Sequence, residues 1–177
     1  MAKIVLVPSS VAAKNIDTLN QSFLDSSNNY DNGMVFKAGA YDSANQTYTP
    51  AAIGSGELHD VFMAYSPEDT VIVDSMGNQY KIGINDPRNF TNVKGSAFSA
   101  YRPQVGDKIL ISADGITGTA NDYAVVVAGE NKLAYASAAV SGLSYKVLDA
   151  SAYITIGGAS AIGSQRVAAV LLECVAI

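Results

Sequence analysis

Val105-Gly106-Asp107-Lys108-Ile109-Leu110-Ile111-Ser112-Ala113-Asp114-Gly115 holds a turn, a short apolar run and a second turn in succession. A polar turn leads into three consecutive aliphatic residues, and Asp114-Gly115 supplies a second tight turn a few residues on. An apolar run this short, bounded by Gly and Asp on both sides, has the length of a strand and not of a helix. The same grammar repeats toward the C-terminus. Tyr123 to Ala128 and Lys132 to Ala136 read as a hairpin around Gly129-Glu130-Asn131, and Tyr145 to Leu148 and Tyr153 to Ile156 as further strands. Val167 to Ile177 admits two readings. Ala168, Ala169, Leu171, Leu172 and Glu173 suit a buried helix, but the β-branched Val167, Val170, Val175 and Ile177, without a cap or polar face, favour strand.

Toward the N-terminus, Tyr80 to Ile84 and Val71-Ile72-Val73 flank the turn Ser75-Met76-Gly77-Asn78, a second hairpin. Val61 to Tyr65 and Met34 to Tyr41 add two more strands, while Asn85 to Tyr101 reads as a long irregular stretch. Turn signals at intervals of about 8–12 residues predict an all-β (mainly β) fold, an antiparallel sandwich or barrel with at most one or two short helices. Strands do not alternate with long helical patterns, which argues against a doubly wound α/β fold.

Before Gly33 the pattern changes. Lys3 to Val7 is a short strand ended by Pro8. From Asn15, a candidate N-cap, Ile16, Leu19, Phe23 and Leu24 fall at helical spacing, which predicts a short helix between Asn15 and Ser26. Asp25 to Gly33 is a loop rich in Asn, Asp and Ser. The expected organisation is an N-terminal arm or extension over residues 1–30 and a β-rich domain over 31–177.

Composition narrows the function classes. The 177 residues are 49% hydrophobic and only 15% charged, against about 25% charged in ordinary globular chains. Ser, Thr, Asn, Gly and ten tyrosines take the place of charge. Such a surface is common where the exterior ends up against protein. A formal net charge of −5 and no basic run disfavour nucleic acid. Met1 to Pro8 imitates a signal peptide, but its apolar run is too short, and no stretch approaches the ~20 residues of a membrane span. The expectation is a soluble chain made in the cytoplasm, with no membrane partner.

Residues that could carry chemistry are few. His59 is the sole histidine, with Glu57 and Asp60 near it in sequence but no second His or paired Cys for zinc. Gly158 to Gly163 has the glycine spacing of a phosphate loop, but Ser164 and Gln165 stand where Lys and Ser/Thr belong. Asn28 to Gly33 imitates a calcium loop, with Gly39 where the bidentate Glu should be. Asp114 with Asp122, or Glu68 with Asp69, could be paired carboxylates, but no sugar-stacking aromatic run accompanies them. Cys174 lies in an apolar segment and reads as a buried hydrophobe. Asn45 and Asn89 head glycosylation sequons that matter only in a secreted chain. No catalytic, cofactor-binding or metal-binding residue is expected, and the chain is read as a non-enzyme. The tyrosines suit contact surfaces, since each brings area and a polar tip at low entropy cost. Ile4, Val5, Leu6 and Val7 are the candidate interface. As a free strand they could extend a neighbour's sheet, or they could pair within their own domain.

The stretch from Asn32 to Ile116 resembles a loosely defined family of tailed-bacteriophage virion proteins. The pieces that match, in order, are Asn32-Gly33-Met34-Val35, Val61 to Glu68, Asp86 to Asn92, Gly95 to Pro103 and Val105 to Ser112. The resemblance implies a decoration (head cement) protein that sits on the outer capsid surface and braces it. The major capsid protein would be its partner, a homo-oligomer such as a trimer its state, and the virion its location. Two alternatives stay open: a tail-tube or other phage structural subunit, and a carbohydrate-binding β-domain.

Overall fold

A computed structural model describes residues 3–73, 76, 79–83, 86–156 and 165–177. The chain runs through β1 (Leu6–Ser10), β2 (Asn20–Leu24), β3 (Val35–Asp42), β4 (Thr47–Ala51), β5 (Val61–Ala64), β6 (Asp69–Val73) and β7 (Gln79–Gly83). It continues through β8 (Ala97–Tyr101), β9 (Lys108–Ser112), β10 (Ile116–Thr117), β11 (Tyr123–Val125), β12 (Leu133–Ala136), β13 (Ser144–Asp149), β14 (Tyr153–Ile156) and β15 (Gln165–Ala176). Among the described residues the helical elements are single 3-10 turns of three residues each. The fold is all-β.

Beside the two-stranded β6–β7 sheet, two larger bodies of sheet meet at a principal core. Strands β2, β4, β3, β5 and β8 close a small barrel, and an open sheet runs β1-β9-β15-β13-β11-β12-β10, with β14 beside the first part of β15. Phe23, Phe36, Phe62 and Phe98 fill the barrel. Phe23 meets Phe36 and Phe62 edge-on at 4.9 and 5.2 Å, the arrangement that ring quadrupoles favour. All four residues of β5 are buried. By strand alternation Phe62 and Ala64 face the barrel, while Val61 and Met63 face the open sheet. There they join Ile109 and Ile111 of β9, Tyr145 of β13 and Leu172 of β15 in the principal core.

Several expectations hold at the residue level. β11 and β12 pair antiparallel, with Tyr123 opposite Ala136, across the turn at Gly129. The C-terminal segment is a strand, held by β9 on one edge and by β13 and β14 on the other. β6 and β7 pair as expected, although the turn Ser75-Met76-Gly77-Asn78 lies, apart from Met76, outside the described residues. Two expectations give way, and one strand had no reading at all. The predicted helix between Asn15 and Ser26 is a 3-10 turn at Asp17–Leu19 followed by strand β2. Phe23 is wholly buried in the barrel and β2 pairs residue for residue with β8, so tertiary packing overrides a helical spacing of only four residues. The stretch read as irregular ends in β8, a barrel stave. Thr47–Ala51, unread in the sequence, is β4.

Residues 1–30, expected as an arm, are woven into both bodies from Lys3 onward. β1 forms an edge of the open sheet, with Leu6 opposite Ile111, and β2 closes the barrel.

Candidate functional site

Ile4, Val5 and Leu6 are not surface residues. Each is 2% exposed or less, and Val7 alone of the four faces solvent. Two glycines explain the seat of Ile4. A Cβ at Gly33 would lie 3.0 Å from Ile4 Cγ2, and one at Gly115 would lie 2.9 Å from the same atom. Gly33 has φ +94°, so both space and backbone conformation require glycine there. The Val5 amide donates to Ser112 Oγ at 3.0 Å, and the Ser112 amide returns a bond to the Val5 carbonyl at 2.8 Å. This strand pairs within its own chain, along β9. Its outer edge is also guarded: Pro8 brings no amide, and Lys14 Nζ donates to the Pro8 carbonyl at 2.6 Å.

His59 lies on the surface beside a cavity of about 110 Å³ lined by Asp60, Val61, Arg102, Pro103, Leu143 and Ile177. Its Nδ1 sits 3.2 Å from the Ile177 carbonyl oxygen. Arg102 is 3.3 Å from Asp60 and stacks over the Phe62 ring at 5.2 Å. The Asp60 carboxylate is thus engaged by a cation and not by the imidazole. No group of three or more His, Cys, Asp or Glu residues suited to a metal ion occurs among the described residues.

The loop that imitates a calcium site is a hydrogen-bonded clasp. Asp25 accepts from the amides of Ser27 and Asn28 at 2.7 and 3.1 Å, from Asn28 Nδ2 at 3.0 Å and from the Tyr30 hydroxyl at 3.0 Å. Partial burial pushes the Asp25 carboxyl up, but the bonds from Asn28, Ser27 and Tyr30 outweigh it and hold the group below its ordinary value. Burial, then the bond to Asp25 and its charge, pushes Tyr30 up to about 12. Asn32 is buried and reciprocal, donating to the Ser66 carbonyl and accepting the Ser66 amide, both at 3.0 Å. Beside this clasp runs a polar groove of about 470 Å³, bordered by Asn29, Tyr30, Pro50, Glu130 and Asn131.

The proposed carboxylate pairs do not form sites. Asp114 and Asp122 are exposed on separate turns, and their backbone carbonyls accept from Lys132 Nζ and the Val147 amide. Glu68 is half-buried and its carboxyl is pushed up by that burial, opposed by a bond from Asn32. The Asp69 side chain and the Gly158–Gly163 loop lie outside the described residues. Cys174 is buried, and desolvation followed by the charge of Asp107 pushes its thiol up to about 12, so it is inert as a nucleophile at neutral pH.

The tyrosines divide sharply. Tyr101 and Tyr145 are core, with the Tyr101 hydroxyl 3.3 Å from Met63 Sδ. Tyr41 and Tyr153 are about half exposed, at 55% and 49%. Tyr41 packs on Tyr48 at a ring separation of 4.9 Å, and Tyr153 carries the Arg166 guanidinium over its face at 4.2 Å. Sequence reasoning missed Asp107, the residue that fastens the N-terminal segment. Its carboxylate is buried and accepts from the amides of Ala12 and Gln104, both at 2.8 Å. An Asp in a Gly-Asp turn gives no hint that it caps a backbone 95 residues away.

No family model, curated protein or solved structure matches this chain.

Proposed function

We propose that this chain is a structural virion protein that binds the outer surface of a bacteriophage capsid and stabilises it. The observation that carries the reading is the character of the exterior. Only 15% of the chain is charged, and large apolar or aromatic residues stand exposed on it, among them Val105, Tyr41 and Val93. A surface poor in charge with aromatic anchors suits protein contact, where charged residues are depleted from the centre and Tyr is enriched. Many copies of one weak contact on a lattice give strong retention through effective concentration. The pieces that carry the phage resemblance include β5, β8 and β9, the strands that build the barrel and join it to the open sheet. The resemblance therefore lies largely in the framework, with Val105 an exposed residue among its pieces.

The test is cosedimentation of the purified protein with undecorated heads of the phage that encodes it, followed by electron microscopy. Saturable binding at ordered head positions and a raised melting temperature of the particle are expected. Occupancy on the tail alone would transfer the role to a tail subunit. The groove beside Tyr30 supports a second reading, carbohydrate binding, because it places Asn29, Glu130 and Asn131 next to an aromatic ring. Heat on titration with oligosaccharides, with no binding to heads, would establish that reading instead.

A further inference from the structure

Every open sheet has edges, and this protein treats its edges unequally. The β1 edge is guarded by Pro8 and Lys14. The opposite edge is β10, only two residues long. Both are standard defences against strand addition. β14 has neither. Its sequence Tyr153-Ile154-Thr155-Ile156 is β-branched and aromatic, without Pro, Lys or bulge. Among the described residues β14 pairs only with β15.

The register shows which backbone groups the bare edge offers. Tyr153 lies opposite Ala168 and Ile156 opposite Gln165. The Ala169 amide donates to the Ala152 carbonyl at 2.9 Å, so in this antiparallel ladder Ile154 and Ile156 bond to β15. Tyr153 and Thr155 turn their amides and carbonyls outward. Ile154 and Ile156 are buried against Val5 and Ala169, while Tyr153 and Thr155 are exposed.

We propose that β14 is a self-association edge, on which two copies of this chain pair their Tyr153–Ile156 strands antiparallel about a two-fold axis at Ile154. The edge is self-complementary. Tyr153 of each copy meets Thr155 of the other, which forms four backbone hydrogen bonds and joins the two open sheets. It also sets an aromatic ring beside a β-branched side chain, a favourable cross-strand pair. Every charge on a two-fold edge meets its own copy, and residues 150–156 carry none. Arg166 of β15 reaches across to β14, where its charge is engaged by the face of the Tyr153 ring. The uncharged strand and its self-matching register are what make a second copy the occupant of this edge. The inference stands apart from capsid binding, because it concerns the protein alone in solution.

Sedimentation equilibrium of the full chain, without particles, tests it. A contact this small predicts a monomer–dimer equilibrium with a Kd of about tens to hundreds of micromolar. Thr155→Pro removes an outward amide at a position where an edge strand tolerates proline, and Thr155→Lys places like charges across the axis. Both should weaken dimerisation at least about tenfold with an unchanged circular dichroism spectrum, and the lysine variant decides the matter if the proline variant misfolds. Amide exchange at Tyr153 and Thr155 should slow with rising protein concentration while Ile154 and Ile156 stay constant. A chain that remains monomeric at about 1 mM, or a dimer indifferent to Thr155→Lys, overturns the proposal.

Discussion

Ile4 illustrates how much of this fold rests on single residues. It is seated between two glycines, with Ile111 packed behind Gly115, whose added Cβ would lie 2.7 Å from Ile111 Cδ1. Ile4→Ala opens a void where no neighbour can follow, and should cost about 2–5 kcal/mol. Gly115→Ala overfills the same seat and should cost about 1–3 kcal/mol. Urea titrations of both variants check this, and a loss below about 0.5 kcal/mol for each would mean that the N-terminal strand is not docked here. Tyr30 makes a second prediction, in pH. Its folded value, pushed up to about 12, exceeds the ordinary 10.0, so the protonated hydroxyl is the form the fold favours. The stability it contributes is complete below about pH 10 and is lost as pH rises through about 12. Tyr30→Phe should therefore flatten part of the alkaline fall in the urea midpoint. Cys174 also titrates upward in that range, so the difference between wild type and variant, not the wild-type curve alone, is the measurement.

At the scale of elements, the segment around Phe23 shows where legibility ended. Ile16, Leu19, Phe23 and Leu24 have helical spacing, yet four residues are too few to separate a helix from a turn followed by a strand. What decides is β8, some 75 residues downstream, which supplies a partner for every residue of β2. β8 was itself hidden, because the polar residues between Asn85 and Ser96 look like the start of an irregular stretch. The strands that were legible, such as β9, β11, β12 and β15, carry both halves of the local signal, an apolar run and a turn beside it. The candidate site fared worse for a physical reason. The buried Asn32 and Asp107 act through contacts 34 and 95 residues distant, and an edge is defined by which strand lacks a neighbour. Neither property is local. Phe23→Ala tests the barrel reading, since the ring touches Phe36, Phe62, Phe98 and Tyr48. The expected loss is about 3–5 kcal/mol, with the near-ultraviolet aromatic signal collapsing first. A variant with wild-type stability would show that the barrel is not packed about this ring.

For the molecule as a whole, the question is whether barrel and open sheet are one cooperative unit. The principal core draws Val35, Val61 and Met63 from the barrel and Leu6, Ile109 and Leu172 from the open sheet, so neither body can unfold without exposing the other. The N-terminal segment is the clearest lever on this unit. An independent arm could be removed with little change in melting temperature. Here, deletion of residues 1–29 removes the β1 edge, the β2 stave that closes the barrel, and the buried Ile4, Val5, Leu6 and Phe23 together. It also leaves the Asp107 carboxylate buried without the Ala12 amide, a loss of about 1–3 kcal/mol by itself. Summed with even two of the large-to-small losses above, this exceeds much of the roughly 5–15 kcal/mol by which domains are stable. The truncated chain should therefore show no cooperative thermal transition, whereas the full chain should show one, with calorimetric and van't Hoff enthalpies in agreement. A truncated protein that melts cooperatively within a few degrees of wild type would restore the arm as a separate element and place its buried strand on another molecule.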